Sequence, residues 1–184
     1  MRPSYIIVDE FRDIVEKASL KLTPVFKELD PLITALHYDH GHPAEIIETL
    51  RQKDDTQTFR FDKYPLIALF QDFDEVVKPN SGIQSEVSLN LIIARPTLPE
   101  YKASERYEKN FRPFLYPAYD ELLYQINKSK AFLTKGVSLI EHTKIDRLYW
   151  GRKGLFRNQG NIFNDWLDCI EIKNLKLKVN LKIC

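Results

Sequence analysis

KYPLIALF, residues 63–70, followed by QDFDEVVKPNSG and then SEVSLNLIIA, residues 85–94, decides how the chain is read. The first block is continuously apolar, the pattern of a strand covered on both faces. The second is polar and ends in Pro79-Asn80-Ser81-Gly82, a turn signal. In the third, Val87, Leu89, Leu91 and Ile93 alternate with Ser88 and Asn90, which gives one face to a core and leaves the other partly polar. Together the blocks predict a long antiparallel hairpin in the middle of the chain.

Upstream of the hairpin, Ile7, Phe11, Ile14, Val15, Ala18 and Leu22 recur at helical spacing among charged residues. They predict an amphipathic helix over residues 5–22 that ends before Pro24. LITALHY, residues 32–38, reads as a strand from its β-branched and aromatic content, and GHPAEIIETLRQK starts a second helix with Pro43 at its first position. Downstream, RPTLPEYKASERYEKN has two prolines, many charges and no period, so residues 95–110 are expected to form an exposed loop. A helix follows over 117–128, with Phe111–Tyr116 as a separate turn or kinked entry because Pro117 cannot donate to the turn before it.

HTKIDRLYW is a candidate strand, residues 150–166 a glycine-punctuated exposed loop, and LDCIEIKNLKLKVNLKIC a long final strand. Ile170 and Ile172 hold one phase of that strand and Leu175, Leu177, Val179 and Leu181 the other, so a bulge is expected near Lys173-Asn174. Lys176, Lys178 and Lys182 then face away from the core, as on an edge or a solvent face. Nothing repeats, and no linker divides residues 1–184. The expectation is a single α+β domain: a mainly antiparallel sheet of about four strands with two to three helices packed on one face.

With 184 residues, 43% hydrophobic and 12% aromatic, the chain has the apolar area to build a core. Lys plus Arg number 27 against 26 Asp plus Glu, so no overall field draws it onto nucleic acid or an anionic membrane. Cys169 and Cys184 make no disulfide framework and fit a reducing compartment. The N-terminus has acids where a secretory signal needs an apolar stretch, and the longest apolar runs are too short to span a bilayer, so a soluble protein made in the cytoplasm is expected.

HYDHGHPAEI places His37, His40 and His42 close to Asp39. Imidazoles at this spacing can hold Zn²⁺ or Ni²⁺, but convergence on one ion needs a sharp turn, and neither cysteine is near. A strand-to-helix corner, with Gly41 supplying an unusual backbone angle, is preferred. Asp168-Cys-Ile-Glu171-Ile-Lys173 contains the Glu-x-Lys that Mg²⁺-dependent nucleases of the restriction type use, where carboxylates hold the metal and lysine stabilises charge. The partner acid is missing nearby, since Asp72 and Asp74 lie far upstream, and alternating charge on a half-exposed strand gives this triplet by chance. GRKGLFRNQGN mixes Arg152, Lys153 and Arg157 with Trp150, Phe156 and Phe163 and suits either stacked bases or a protein interface; its glycine spacing fits no phosphate-cradling motif.

HYDHGHPAEIIETL, KYPLIALFQDF and YWG with IFNDWLDCIEIKNLKLKV, in that order, resemble the tail-terminator or neck proteins of long-tailed bacteriophages, especially small virion proteins from phages of Bacteroidetes. The resemblance spans about His37 to Val179. It implies a twisted, mainly antiparallel sheet of about four strands with helices on one face, and a structural protein with no cofactor and no turnover. It further implies a ring, a homo-hexamer, that caps the tail tube and docks to the head-completion or connector protein, so the chain would reside in the virion neck after assembly in the host cytoplasm. DNA would pass through without specific binding, which suits a near-neutral chain. The N-terminal helix with TPVFKELDP and the long last strand exceed compact family members. On this reading Arg152, Phe156, Arg157, Phe163 and Trp166 form one set of contacts, and Tyr101, Arg106 and Tyr107 a second. The rivals are another head-completion protein, a Mg²⁺-dependent nuclease and a metal-binding module.

Overall fold

The central hairpin forms as its pattern requires. β2 (Leu66–Lys78) pairs antiparallel with β3 (Gln84–Pro96) in a computed structural model that describes residues 3–55, 63–78, 84–134, 140–150 and 166–180. The hairpin turn, the run 151–165 and Lys182 lie outside the described residues. Ile67 and Leu69 point into one core and Leu66 and Ala68 into another, so the unbroken apolar run reflects two covered faces. Around the hairpin the chain runs α1 (Pro3–Leu29), β1 (His37–Gly41), α2 (Pro43–Asp55), then β2 and β3. A helical run follows: α3 (Ala103–Arg106), a π-helical stretch Tyr107–Leu115 and α4 (Tyr116–Lys128). It leads to β4 (Thr143–Trp150) and β5 (Leu167–Asn180).

The sheet has five strands in the order β1-β2-β3-β5-β4, not four. The fifth is β1, which lies parallel to β2 with His37 opposite Leu66 and Gly41 opposite Phe70. The strand expected over 32–38 is therefore displaced towards the histidines. Ile33 and Leu36 are buried outside the ladder, with the Leu36 N–H donating to Ser19 Oγ of α1 at 2.9 Å. The parallel pair is possible because α2 lies between the two strands in sequence and serves as the crossover.

Helices cover both faces of the sheet, which corrects the expectation of one. α1, the π-helical stretch and α4 bury Phe11, Ile14, Phe26, Phe114 and Leu122 against Leu89, Ile93, Ile170 and Leu175. α2 buries Ile46, Ile47 and Leu50 on the opposite side, against Ala68, Ile92, Trp150 and Cys169. One such aliphatic side chain is worth about 1.5–3 kcal/mol when removed from water.

α1 also runs past Pro24 to Leu29. The proline removes the donor that would reach the Leu20 carbonyl, a loss the helix tolerates at Leu20, which stands at the surface, 74% exposed. Of residues 95–110 only the middle, 97–102, is a loop, exposed from Leu98 to Glu100; β3 runs to Pro96, and helix begins at Ala103. The kinked entry before α4 is a wide turn in which the Tyr116 N–H reaches back five residues to Phe111 O, with Pro117 in the first turn of α4.

The phase slip of the last strand is where it was read. β3 pairs Leu89 with Leu175 and Leu91 with Ile172, leaving Lys173 and Asn174 bulged; Asn174 has a φ of 53° and donates its N–H to Asn90 Oδ1 at 3.1 Å. The slip lets Ile170, Ile172, Leu175, Leu177 and Val179 all enter the same core. Lys176 and Lys178 are exposed on the face opposite that core; β4 runs beside β5 only as far as Lys173, and past it β5 is flanked by the Glu141 carbonyl, which accepts the Lys176 N–H, and by Leu133, whose N–H donates to the Lys178 carbonyl.

Gly41 closes β1 with a φ of +138°, which other residues adopt only with strain. Gly41→Ala is expected to destabilise the fold by about 1–3 kcal/mol in urea unfolding, with the unfolding slope unchanged.

Candidate functional site

The most concentrated polar chemistry lies where the helical run meets the first residues of β5. Asp168 has no solvent exposure and Arg106 only 1%. An Arg106 terminal nitrogen donates to Asp168 Oδ1 at 2.8 Å and to Thr97 Oγ1 at 2.9 Å. The other two guanidinium nitrogens donate to the carbonyls of Leu98 and Tyr101, each at 2.9 Å. Asn110 Nδ2 donates to Asp168 Oδ2 at 2.8 Å, so both carboxylate oxygens are held. A charge pair this dry survives only when its remaining donors and acceptors are satisfied, as they are here. The cluster is a clamp, with no open position for a reactant.

Beside the clamp, an open groove of about 440 Å³ runs between the end of α1, the end of β3 and the π-helical stretch, lined among others by Leu29, Leu98, Tyr101, Pro113 and Phe114. At its base the Arg95 guanidinium lies 3.4 Å from the Phe114 ring centroid and donates to Asp30 Oδ2 at 2.6 Å and to the Lys109 carbonyl at 3.1 Å. Burial lowers the Arg95 pKa, while Asp30 opposes that shift. Elsewhere on the π-helical stretch Tyr107 is exposed and packs edge-on against Tyr116. Tyr116 donates to Asp146 Oδ2 of β4 at 2.8 Å, and burial, helped by that carboxylate, pushes its phenol up to about 12.

The histidine cluster builds a corner. His42 Nδ1 accepts the Ala44 N–H at 3.2 Å while Glu45 Oε2 accepts the His42 N–H at 3.1 Å, a reciprocal cap on α2. His40 stacks on Tyr38, whose hydroxyl donates to the Val8 carbonyl of α1 at 3.1 Å. Among the described residues, no group of three or more His, Cys, Asp or Glu side chains is placed to hold a metal ion.

Nor do the nuclease-type carboxylates converge. Asp168 faces the π-helical stretch and Arg106, whereas Glu171 lies on the other face of β5, paired with Arg147 at 2.7 Å and Lys173 at 3.5 Å. Asp72 and Asp74 are on β2, separated from β5 by β3. Between Asp168 and Glu171, Cys169 is fully buried against α2's core, and burial pushes its thiol well above the ordinary range.

Of the residues read from sequence as contacts, Tyr101 lines the groove, Tyr107 is exposed beside Tyr116, and Trp166 is half-buried, its carbonyl accepting the Thr97 N–H at 2.7 Å. Arg106 is corrected from an exposed contact to the centre of the clamp, because Asp168 offers it a buried partner that the sequence does not display. Arg152, Phe156, Arg157 and Phe163 lie outside the described residues. Sequence reasoning missed Arg95 and Asn110; the helical spacing of Arg106 and Asn110, four residues apart, was the available signal. No protein-family model matches the chain, and no curated protein is detectably similar to it. No helix among the described residues is long and apolar enough to cross a membrane.

Arg106→Met leaves the Asp168 carboxylate buried without its counter-charge and is expected to cost about 3–5 kcal/mol of stability. Adding Asp168→Leu to it should recover part of that loss, measured as a coupling in a double-variant cycle. In a Cys184→Ser chain, the remaining Cys169 thiol should react with a disulfide reagent no faster than the protein unfolds; labelling at the rate of free cysteine would contradict its burial.

Proposed function

We propose that this chain is a structural virion protein, a ring protomer at the head–tail joint of a long-tailed bacteriophage. It binds copies of itself, most simply as a hexamer, closes the end of the tail tube and meets the connector or head-completion protein on its other side. The observation that supports this reading is that apolar side chains stand exposed at two separate places on the fold. Leu29 and Leu98 rim the groove together, and on the outer half of β2 Val76 and Val77 are exposed, one on each face of the strand. Single exposed hydrophobic residues are ordinary, whereas grouped ones mark partner surfaces.

Two unlike patches on one copy are what a closed ring of heterologous contacts needs. Tyr101, which lines the groove, and Tyr107 belong to this reading as one set of contacts, and Trp166 with Arg152, Phe156, Arg157 and Phe163 of the glycine-punctuated run as another. The buried charges serve the fold: Arg106, Asp168 and Asn110 are fully engaged with one another. A formal net charge of +1 suits a passage through which DNA slides, since a basic lumen would hold phosphates.

The test is electron microscopy of the purified protein mixed with tail tubes, with sizing at rising concentration alongside. Rings seated at tube ends are the expected result. Binding only to portal-side components would move the protein to the head-completion layer. A chain that stays monomeric and ignores both, or one that cuts DNA with Mg²⁺ and loses the activity on Glu171→Ala, would overturn the proposal.

A further inference from the structure

Two margins of the sheet are open among the described residues, and they are unlike. β1 covers β2 only along Leu66–Phe70, so the outer half of β2, paired with β3 on one side, has no described strand on the other. β4 ends the sheet on the other side. An uncovered margin is a row of backbone N–H and C=O groups ready to accept another strand. On β2 the segment Asp74–Val77 holds two acids and no base, with Val76 and Val77 56% and 61% exposed. On β4 the segment Thr143–Leu148 holds Lys144 and Arg147 against a single acid, Asp146, with Leu148 also at the surface.

We propose that the outer half of β2 in one copy pairs with β4 of the next, so that the sheet continues from copy to copy; this rests on the ring reading and names its contact. Strand direction agrees. β2 is antiparallel to β3, β3 to β5 and β5 to β4, so β4 runs opposite to β2. A neighbour whose strands run in the same sense therefore presents β4 antiparallel to β2, the better ladder.

Charge selects the same pairing. Joining β2 to β2 sets Asp74 and Glu75 against their own copies, and like charges across a ladder are destabilising. Joining β2 to β4 sets acids against bases. Lys144 and Arg147 already hold Asp146 and Glu171, but Arg147 remains about half exposed, and a guanidinium with five donors can take a second carboxylate. The charges that deter a like edge thus admit the complementary one. A ladder of some five residues is small beside a stable two-body interface, so single contacts should be weak and closure into a ring should stabilise them cooperatively.

The experiment uses the full chain carrying Val76→Cys and Leu148→Cys, with Cys184→Ser, treated with a short bis-maleimide. Within one copy the two cysteines lie three strand spacings apart, about 14 Å or more, beyond such a linker. The expected result is a ladder of cross-linked chains on a denaturing gel that ends at the ring size. Asp74→Lys added to the same chain should weaken the ladder at least tenfold, and Lys144→Glu added to that should restore part of it. Cross-linking that stops at two copies overturns the head-to-tail pairing. Rings seen by sizing without any ladder overturn the pairing and leave the ring reading standing. A chain that is monomeric at every concentration and never cross-links overturns both.

Discussion

A carboxylate with no access to water, Asp168, fixes how the helical run sits on the sheet. Left alone it would be strongly unfavourable in an apolar interior, so the chain that follows β3 must bring it a counter-charge and further donors. It does so by turning helical at Ala103, which presents Arg106 and Asn110 from successive turns to the two carboxylate oxygens. That placement sets where the π-helical stretch begins, and hence where Phe111, Phe114 and Leu115 enter the core. The groove is a by-product of the same geometry. It lies between the end of α1 and the stretch that the clamp holds down, with Arg95 bridging its base from β3 to Asp30.

The sheet's two covered faces explain the remaining architecture. α1 and α4 lie together on one face, linked by the Lys21–Glu121 ion pair and by Ser129 donating to Glu10. α2 covers the other with three large aliphatic residues, Ile46, Ile47 and Leu50, and among the described residues no helix packs on that face of the outer half of β2 and β3. There, Glu86 and Lys178 face each other at 3.4 Å on the open surface, as expected of a solvated sheet face. The uncovered outer half therefore follows from the shortness of β1 and α2. It is also where Val76 and Val77 are exposed, one on each face of β2, which links the packing of the fold to its proposed assembly.

Much of this was legible in the sequence where one pattern had one meaning. The unbroken KYPLIALF run, the alternation from Ser85 to Ala94 and the phase slip at Lys173-Asn174 each describe a local geometry, and each local geometry formed. The corner at Gly41 and Pro43 was readable for the same reason: a positive φ and a missing N–H are properties of those residues wherever they occur. The helix after Pro96 was hidden. Its prolines, charges and lack of a clear period look like a loop, because the residues that stabilise it, Arg106 and Asn110, are polar and its stabilisation comes from Asp168 more than fifty residues away.

The sequence by itself determined the class of protein, an α+β domain built on a central antiparallel hairpin, because strand and helix periods are written within a few residues of one another. Only the tertiary structure decided that β1 joins the sheet in parallel, that α2 occupies the second face, that Arg106 is a buried clamp instead of a surface contact, and which margins of the sheet stay open among the described residues. Each of these depends on contacts between distant segments, and their energies arise from burial and pairing that no local pattern encodes.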